Sequence, residues 1–102
     1  MGDYQVALSR AAERDLDDII DYISEQDPVL ALSFGTNLLN RLFLLLRTTP
    51  RAGRRYKNLR VFVMGNYVSI YEVRESDRVV LIHMVTHASR HWVSVLEERL
   101  EE

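Results

Sequence analysis

The chain contains no cysteine, which excludes a disulfide framework, a thiolate metal site and a thiol nucleophile, and fits a reducing cytosol. It also lacks a long apolar run: the longest, Leu42 to Leu46, falls far short of the roughly 20 residues that a bilayer span needs. The N-terminal Met-Gly-Asp-Tyr-Gln-Val shows no basic stretch followed by an apolar core. No secretory signal is read there, and a soluble, cytoplasmic protein without a membrane partner is expected. Internal repeats, low-complexity linkers, a phosphate-cradling glycine loop and a Ser-His-Asp arrangement are missing too. With three scattered histidines and no cysteine, neither a metal site nor a cofactor is expected.

One absence is local. Residues 28–71 contain no acid and seven bases, whereas residues 1–27 carry eight acids and two bases, and residues 72–102 seven acids and four bases. The net charge of −2 therefore hides segments of −6, +7 and −3, and the middle of the chain is a separate electrostatic object. What remains is ordinary: 102 residues with 47% hydrophobic and 27% charged make one domain, residues 1–102, that should fold rather than stay disordered.

Tyr4, Val6 and Leu8 alternate with Gln5 and Ala7, as in a short half-buried strand. Ser9 then offers an N-cap. Leu16, Ile19, Ile20 and Ile23 follow helical spacing, with Glu13, Asp15, Asp17, Asp18 and Asp21 assigned to the wet face. Asp27-Pro28 starts a second helix, to about Arg47, and so short a connection implies an antiparallel helical hairpin. Its stripe is Ala31, Phe34, Leu38, Leu42 and Leu45. Leu30, Leu39, Phe43 and Leu46 widen it beyond what one neighbour covers, marking a candidate exposed binding patch for an amphipathic partner helix.

Residues 51–58 read as a loop. Strands follow from about Leu59 to Met64 and Tyr67 to Val73, joined by Gly65-Asn66 as a II′ turn, then from Arg78 to Thr86. The last strand is apolar on both faces and so is placed centrally. Trp92, Leu96 and Leu100 give a terminal helix. The expected fold is α+β: N-terminal strand, antiparallel helical hairpin, three-stranded antiparallel meander and C-terminal helix.

The order of these pieces resembles the ParE/RelE toxin superfamily over nearly the whole chain. The carrying residues are Leu8-Ser9-Arg10-Ala11-Ala12 with Asp15-Leu16 and Ile19 to Ile23, then Phe34 to Leu46 with Pro50 and Gly53-Arg54. Leu59-Arg60, Tyr67-x-x-Ile70-Tyr71-x-Val73 and Val85-Thr86-His87-Ala88-Ser89-Arg90 complete them. The long hairpin and the His-x-x-Arg-x-Trp ending look more like the ParE branch. That resemblance implies the toxin of a type II toxin–antitoxin pair, arresting growth by binding DNA gyrase without hydrolysis and silenced in a hetero-oligomer with a ParD-like antitoxin. The RelE branch would instead imply a ribosome-dependent mRNA endonuclease.

Arg47, Arg51, Arg54, Arg55, Lys57 and Arg60 form an unneutralised basic cluster. It suits a phosphate backbone, an acidic antitoxin segment held by arginine forks, or a solvated loop paired with the acidic first helix. The antitoxin- or target-binding residues expected are Leu30, Leu39, Phe43, Leu46, Arg51, Arg54, Arg55, Arg60 and Trp92. An mRNA-cleaving site must move a proton and stabilise charge at phosphorus, for which Lys57, Arg60, His87 and Arg90 are the candidates. Against it, the strands carry Val61, Val63, Val68 and Ile70 where such enzymes place basic residues. His87 also reads as a strand-end hydrogen-bonding residue, and His83 as a sheet histidine.

Overall fold

The computed structural model describes residues 3–101. Strand β1 (Gln5–Leu8) leads into helix α1 (Arg10–Gln26) through Ser9, whose Oγ accepts from the Ala12 N–H at 3.1 Å and so satisfies a donor that the helix start leaves orphaned. Asp27 alone separates α1 from the next helix. Its carboxylate accepts from Val29 and Leu30, with Pro28 at the first helical position, where a missing N–H costs nothing.

That second helix runs as α2 (Pro28–Ser33), a π-helical segment (Phe34–Leu39) and α3 (Asn40–Thr48). The buried residues Ala31, Phe34, Leu42 and Leu46, with half-buried Leu38 between them, step by four residues after Phe34. Such steps outrun a 3.6-residue turn, and the wider π turn takes up the surplus. One consequence corrects the sequence reading: Leu46, expected in an exposed patch, is 0% exposed, while Leu45 is only half-buried. By length and mean hydropathy alone, 21 residues at 1.6, Pro28–Thr48 would pass for a bilayer span, which the short apolar run did not suggest. Its apolar stripe lies instead against the sheet, and its end is fixed just ahead of β1, where the Tyr4 N–H donates to Arg47 O at 3.0 Å.

Strands β2 (Arg54–Tyr56), β3 (Leu59–Met64), β4 (Tyr67–Arg74) and β5 (Val79–His87) complete one sheet in the order β1-β5-β4-β3-β2. β1 lies parallel to β5 and the rest are antiparallel. The meander thus has four strands, not three, because β2 occupies part of the expected loop. β2 is a short edge strand of sequence Arg-Arg-Tyr, and charged edges resist further pairing at the cost of any apolar alternation. In the Gly65-Asn66 turn only Gly65 has positive φ, at 61°, as a II′ turn requires.

β5 pairs laterally with β1 and β4 and is covered by helices on both faces, which accounts for its apolar run. Helices α1 to α3 cover one face, over Tyr71, Val80, Ile82 and Val85; α4 (Trp92–Glu101) covers the other, over Leu59, Val61, Val68, Ile70 and Met84. Pairing passes from Ile70↔Met84 to Tyr71↔Ile82, so His83 is the extra residue of a bulge.

Candidate functional site

Most of the basic cluster is spent within the fold. The Arg51 guanidinium pairs with Glu75, Arg47 with Asp3 at 3.4 Å, and Lys57 with Glu97 at 2.8 Å. Arg60 donates to Gly53 O at 2.8 Å and to Arg51 O at 3.5 Å, tying β3 to the loop before β2. The same loop is clamped from below, where the Gly53 N–H donates to the buried Tyr71 hydroxyl at 2.8 Å. A Cβ at Gly53 would stand 2.8 Å from both that hydroxyl and Val61 O, so only glycine fits the approach. Burial raises the Tyr71 phenol above its ordinary value. Arg54 and Arg55, exposed on β2, are what this scaffold displays.

Glu97 gathers the opposite face. It accepts from the Tyr56 hydroxyl at 2.7 Å and from Lys57 Nζ, and these two bonds, Lys57's first, hold its carboxyl below the ordinary value. Trp92 packs half-buried, edge-on to Tyr56 at 5.7 Å.

The four residues of the cleavage reading divide between two ends of the sheet. Arg60 pairs across to Tyr71, whereas His87 pairs with Tyr67, four residues away along β4 or about 13 Å at strand rise. His87 Nδ1 takes the Ser89 N–H at 3.1 Å and meets Ser89 Oγ at 2.7 Å, while its ring lies edge-on to Tyr67. Arg90 follows in the turn, its guanidinium in no ion pair among the described residues. His83, half-buried, bonds Glu72 at 2.8 Å.

Of the apolar patch, Leu30 is 54% exposed, while Leu39 and Phe43 are half-buried against the core. The exposed apolar surface of the helical stretch is instead Val29, Leu30, Leu32 and Leu44.

A second feature escaped the sequence. β1 pairs with β5 only as far as Ile82, although β5 continues to His87. In the resulting step lies a cleft of about 660 Å³ between α1 and α4. Asp15 sits at its inner end, with its carboxylate accepting from the Val85 N–H at 3.0 Å and from both Arg99 amino groups at 2.9 and 2.6 Å. Arg99 also reaches His83 O at 3.3 Å. Asp15 is therefore not on the wet face: it caps the open edge of β5 and joins the two helical layers. The available signal was Asp15, Asp18, Ile19 and Tyr22, one face of α1 at i, i+3, i+4, i+7, all lining the cleft.

Comparison with known proteins places this geometry. The family model described as the ParE toxin of the type II toxin–antitoxin system parDE matches residues 6–92. The chain belongs to the ParE toxin family. Among solved structures, this ParE-family toxin is similar to a chain of the chromosomal ParDE system from P. aeruginosa, at TM-score 0.71 and 16% identity, covering 84% of this chain and 97% of that one. It is also similar to a chain of the RelBE2 toxin–antitoxin complex from Mycobacterium tuberculosis, at TM-score 0.62 and 23% identity over 87% and 97%. The isolated E. coli RelE toxin aligns at TM-score 0.56 and 20% identity over 95% and 98%. At these identities the structures establish the shared fold, and the family model carries the membership. No curated protein sequence matches significantly.

Proposed function

We propose that this toxin arrests growth in the cytoplasm by binding DNA gyrase, not by cutting RNA, and that a ParD-like antitoxin neutralises it. The observation that carries this reading is the separation of the polar residues a cleavage site would need. Lys57 is occupied by Glu97 and Arg60 by two backbone carbonyls, at the end of the sheet away from His87 and Arg90. General acid–base catalysis needs its groups within hydrogen-bond reach of one reacting centre. Family membership and the ParDE likeness support the same reading.

For the antitoxin, the exposed Val29, Leu30, Leu32 and Leu44 offer an apolar surface, continued by half-buried Leu39 and Phe43, of the kind an amphipathic helix covers. Arg54 and Arg55 offer charge-assisted pairing to acidic residues. Of the residues first assigned to this surface, Leu46 is core, and Arg51, Arg60 and Trp92 serve the fold as well.

Induction in growing cells separates the readings. DNA synthesis should fall before protein synthesis, with no new mRNA 5′ ends, and His87→Ala and Arg90→Ala should stay toxic. Early translation arrest with new mRNA ends that disappear in His87→Ala would replace this reading with the ribosome-dependent endonuclease.

A further inference from the structure

The step in the sheet edge has unused backbone groups, and their pattern is specific. Beyond Ile82, β5 has no neighbouring strand on its outer side among the described residues. Thr86 faces β4 in the pairing Val68↔Thr86, and the Ala88 N–H also turns that way, to Asn66 O at 2.7 Å. Because alternate residues of a strand direct their N–H and C=O to opposite sides, Val85 and His87 face outward. Val85 has given its N–H to Asp15, and His87 has given its C=O to the Arg90 N–H at 3.1 Å. What is left is the Val85 C=O and the His87 N–H, neither with a partner among the described residues.

This pair selects a strand direction. An antiparallel neighbour bonds both groups of one residue, and here each residue has lost one of them. A parallel neighbour bonds the C=O of one residue and the N–H of the residue two further on, through a single residue of its own. That is the relation β1 already has to β5, with Gln5 N–H on Arg78 O and Ser9 N–H on Ile82 O, both at 2.9 Å.

We infer that the cleft receives an extended segment of a partner polypeptide as a further strand, running parallel to β5 in line with β1, with one residue bridging Val85 O and His87 N opposite Thr86. The cleft has room for it, at about 660 Å³. The segment's chemistry follows from its walls. The bridging side chain shares the face of Thr86, lined by Val95 and by Arg90, whose guanidinium has no ion pair among the described residues; an acid fits there. The flanking side chains turn to the α1 side, onto Ile19, Tyr22 and Tyr67, where apolar groups fit and Asp18 repels a second acid. Tyr22, 65% exposed, gains the cover it lacks in the free chain. The inference does not depend on what the toxin attacks.

Panning a phage-displayed library of random seven-residue peptides against the folded chain, with counter-selection on His87→Pro, tests it. Proline there removes the outward N–H without breaking a bond to β4, a position where an edge strand tolerates it. His87→Ala keeps the N–H and loses only the imidazole. Selected peptides should place apolar residues either side of one acid and weaken about tenfold on His87→Pro, as loss of a paired hydrogen bond implies, with little change on His87→Ala. Binding should also slow hydrogen exchange at the His87 amide. If His87→Pro fails to fold by circular dichroism, Ile19→Arg takes its place as the blocked variant. The inference is overturned by failure to enrich any peptide over the blocked variant, or by peptides that bind without protecting the His87 amide. A concentration-dependent dimer abolished by Ile19→Arg would overturn it too, assigning the cleft to a second copy.

Discussion

The two faces of the sheet are held by different means. Under α1 to α3 the contact is apolar and deep, with Leu46, Tyr71, Val80 and Ile82 all at 0% exposure. On the other face a single short helix lays Leu96, with half-buried Trp92 and Val95, over Val68, Ile70 and Met84, and much of its hold comes from polar ties: Tyr56 and Lys57 to Glu97, Arg99 to Asp15. Apolar burial does not titrate, whereas the Lys57–Glu97 pair, with side chains 55% and 40% exposed, contributes only about 0–1 kcal/mol and is screened by salt. The first face therefore sets global stability, and α4 opens at a lower free energy than the whole.

Breaking the deep face should give the largest effect. Leu46→Ala is expected to cost about 2–5 kcal/mol in one cooperative transition, seen as a lowered Tm; a loss under about 0.5 kcal/mol, the range of surface substitutions, would return Leu46 to the surface. Arg99→Ala should cost about 1.5–3 kcal/mol by leaving Asp15 without its charged partner. Its mark is faster hydrogen exchange in α4 and at Val85 than in β3 and β4. Gly35→Ala should act in the opposite direction. Among the described residues nothing lies within 4 Å of a Cβ there, so the helix gains about 0.5–1 kcal/mol from lost unfolded-state freedom, read as a raised Tm.

The smallest effect distinguishes the faces by pH. Glu97 is held below its ordinary 4.5 by Lys57 and then Tyr56, the two bonds that tie α4 to the β2 edge of the sheet. A depressed carboxyl pKa contributes stability above the unfolded value and loses it as pH falls through the folded value. Amide protection in α4 should therefore fade below about pH 4.5 before that of β4 and β5 does. Simultaneous loss on both faces would contradict the comparison.

The sequence announced the deep face better than the polar one. Ser9, Asp27-Pro28 and Gly65 are local signals whose geometry depends on a few neighbouring atoms, and apolar spacing along α1 and β5 reports burial directly. The π segment has no local mark, and a 3.6-residue period carried across Phe34–Leu39 puts Leu46 on the wrong side. β2 was hidden because edge strands need not be apolar. Asp15 looks solvated from its neighbours alone, since nothing near it in sequence shows that Arg99, 84 positions away, and the Val85 amide meet it. The candidate cleft depends on where β1 stops relative to β5, a tertiary register that no local pattern carries.

The central claim, that this ParE-family toxin acts by holding gyrase, is tested most directly by titrating purified protein into a gyrase supercoiling assay. Supercoiling should fall with toxin concentration and recover when a ParD-like antitoxin is added, with His87→Ala as inhibitory as the parent. Undiminished supercoiling at large molar excess of the folded chain would contradict it.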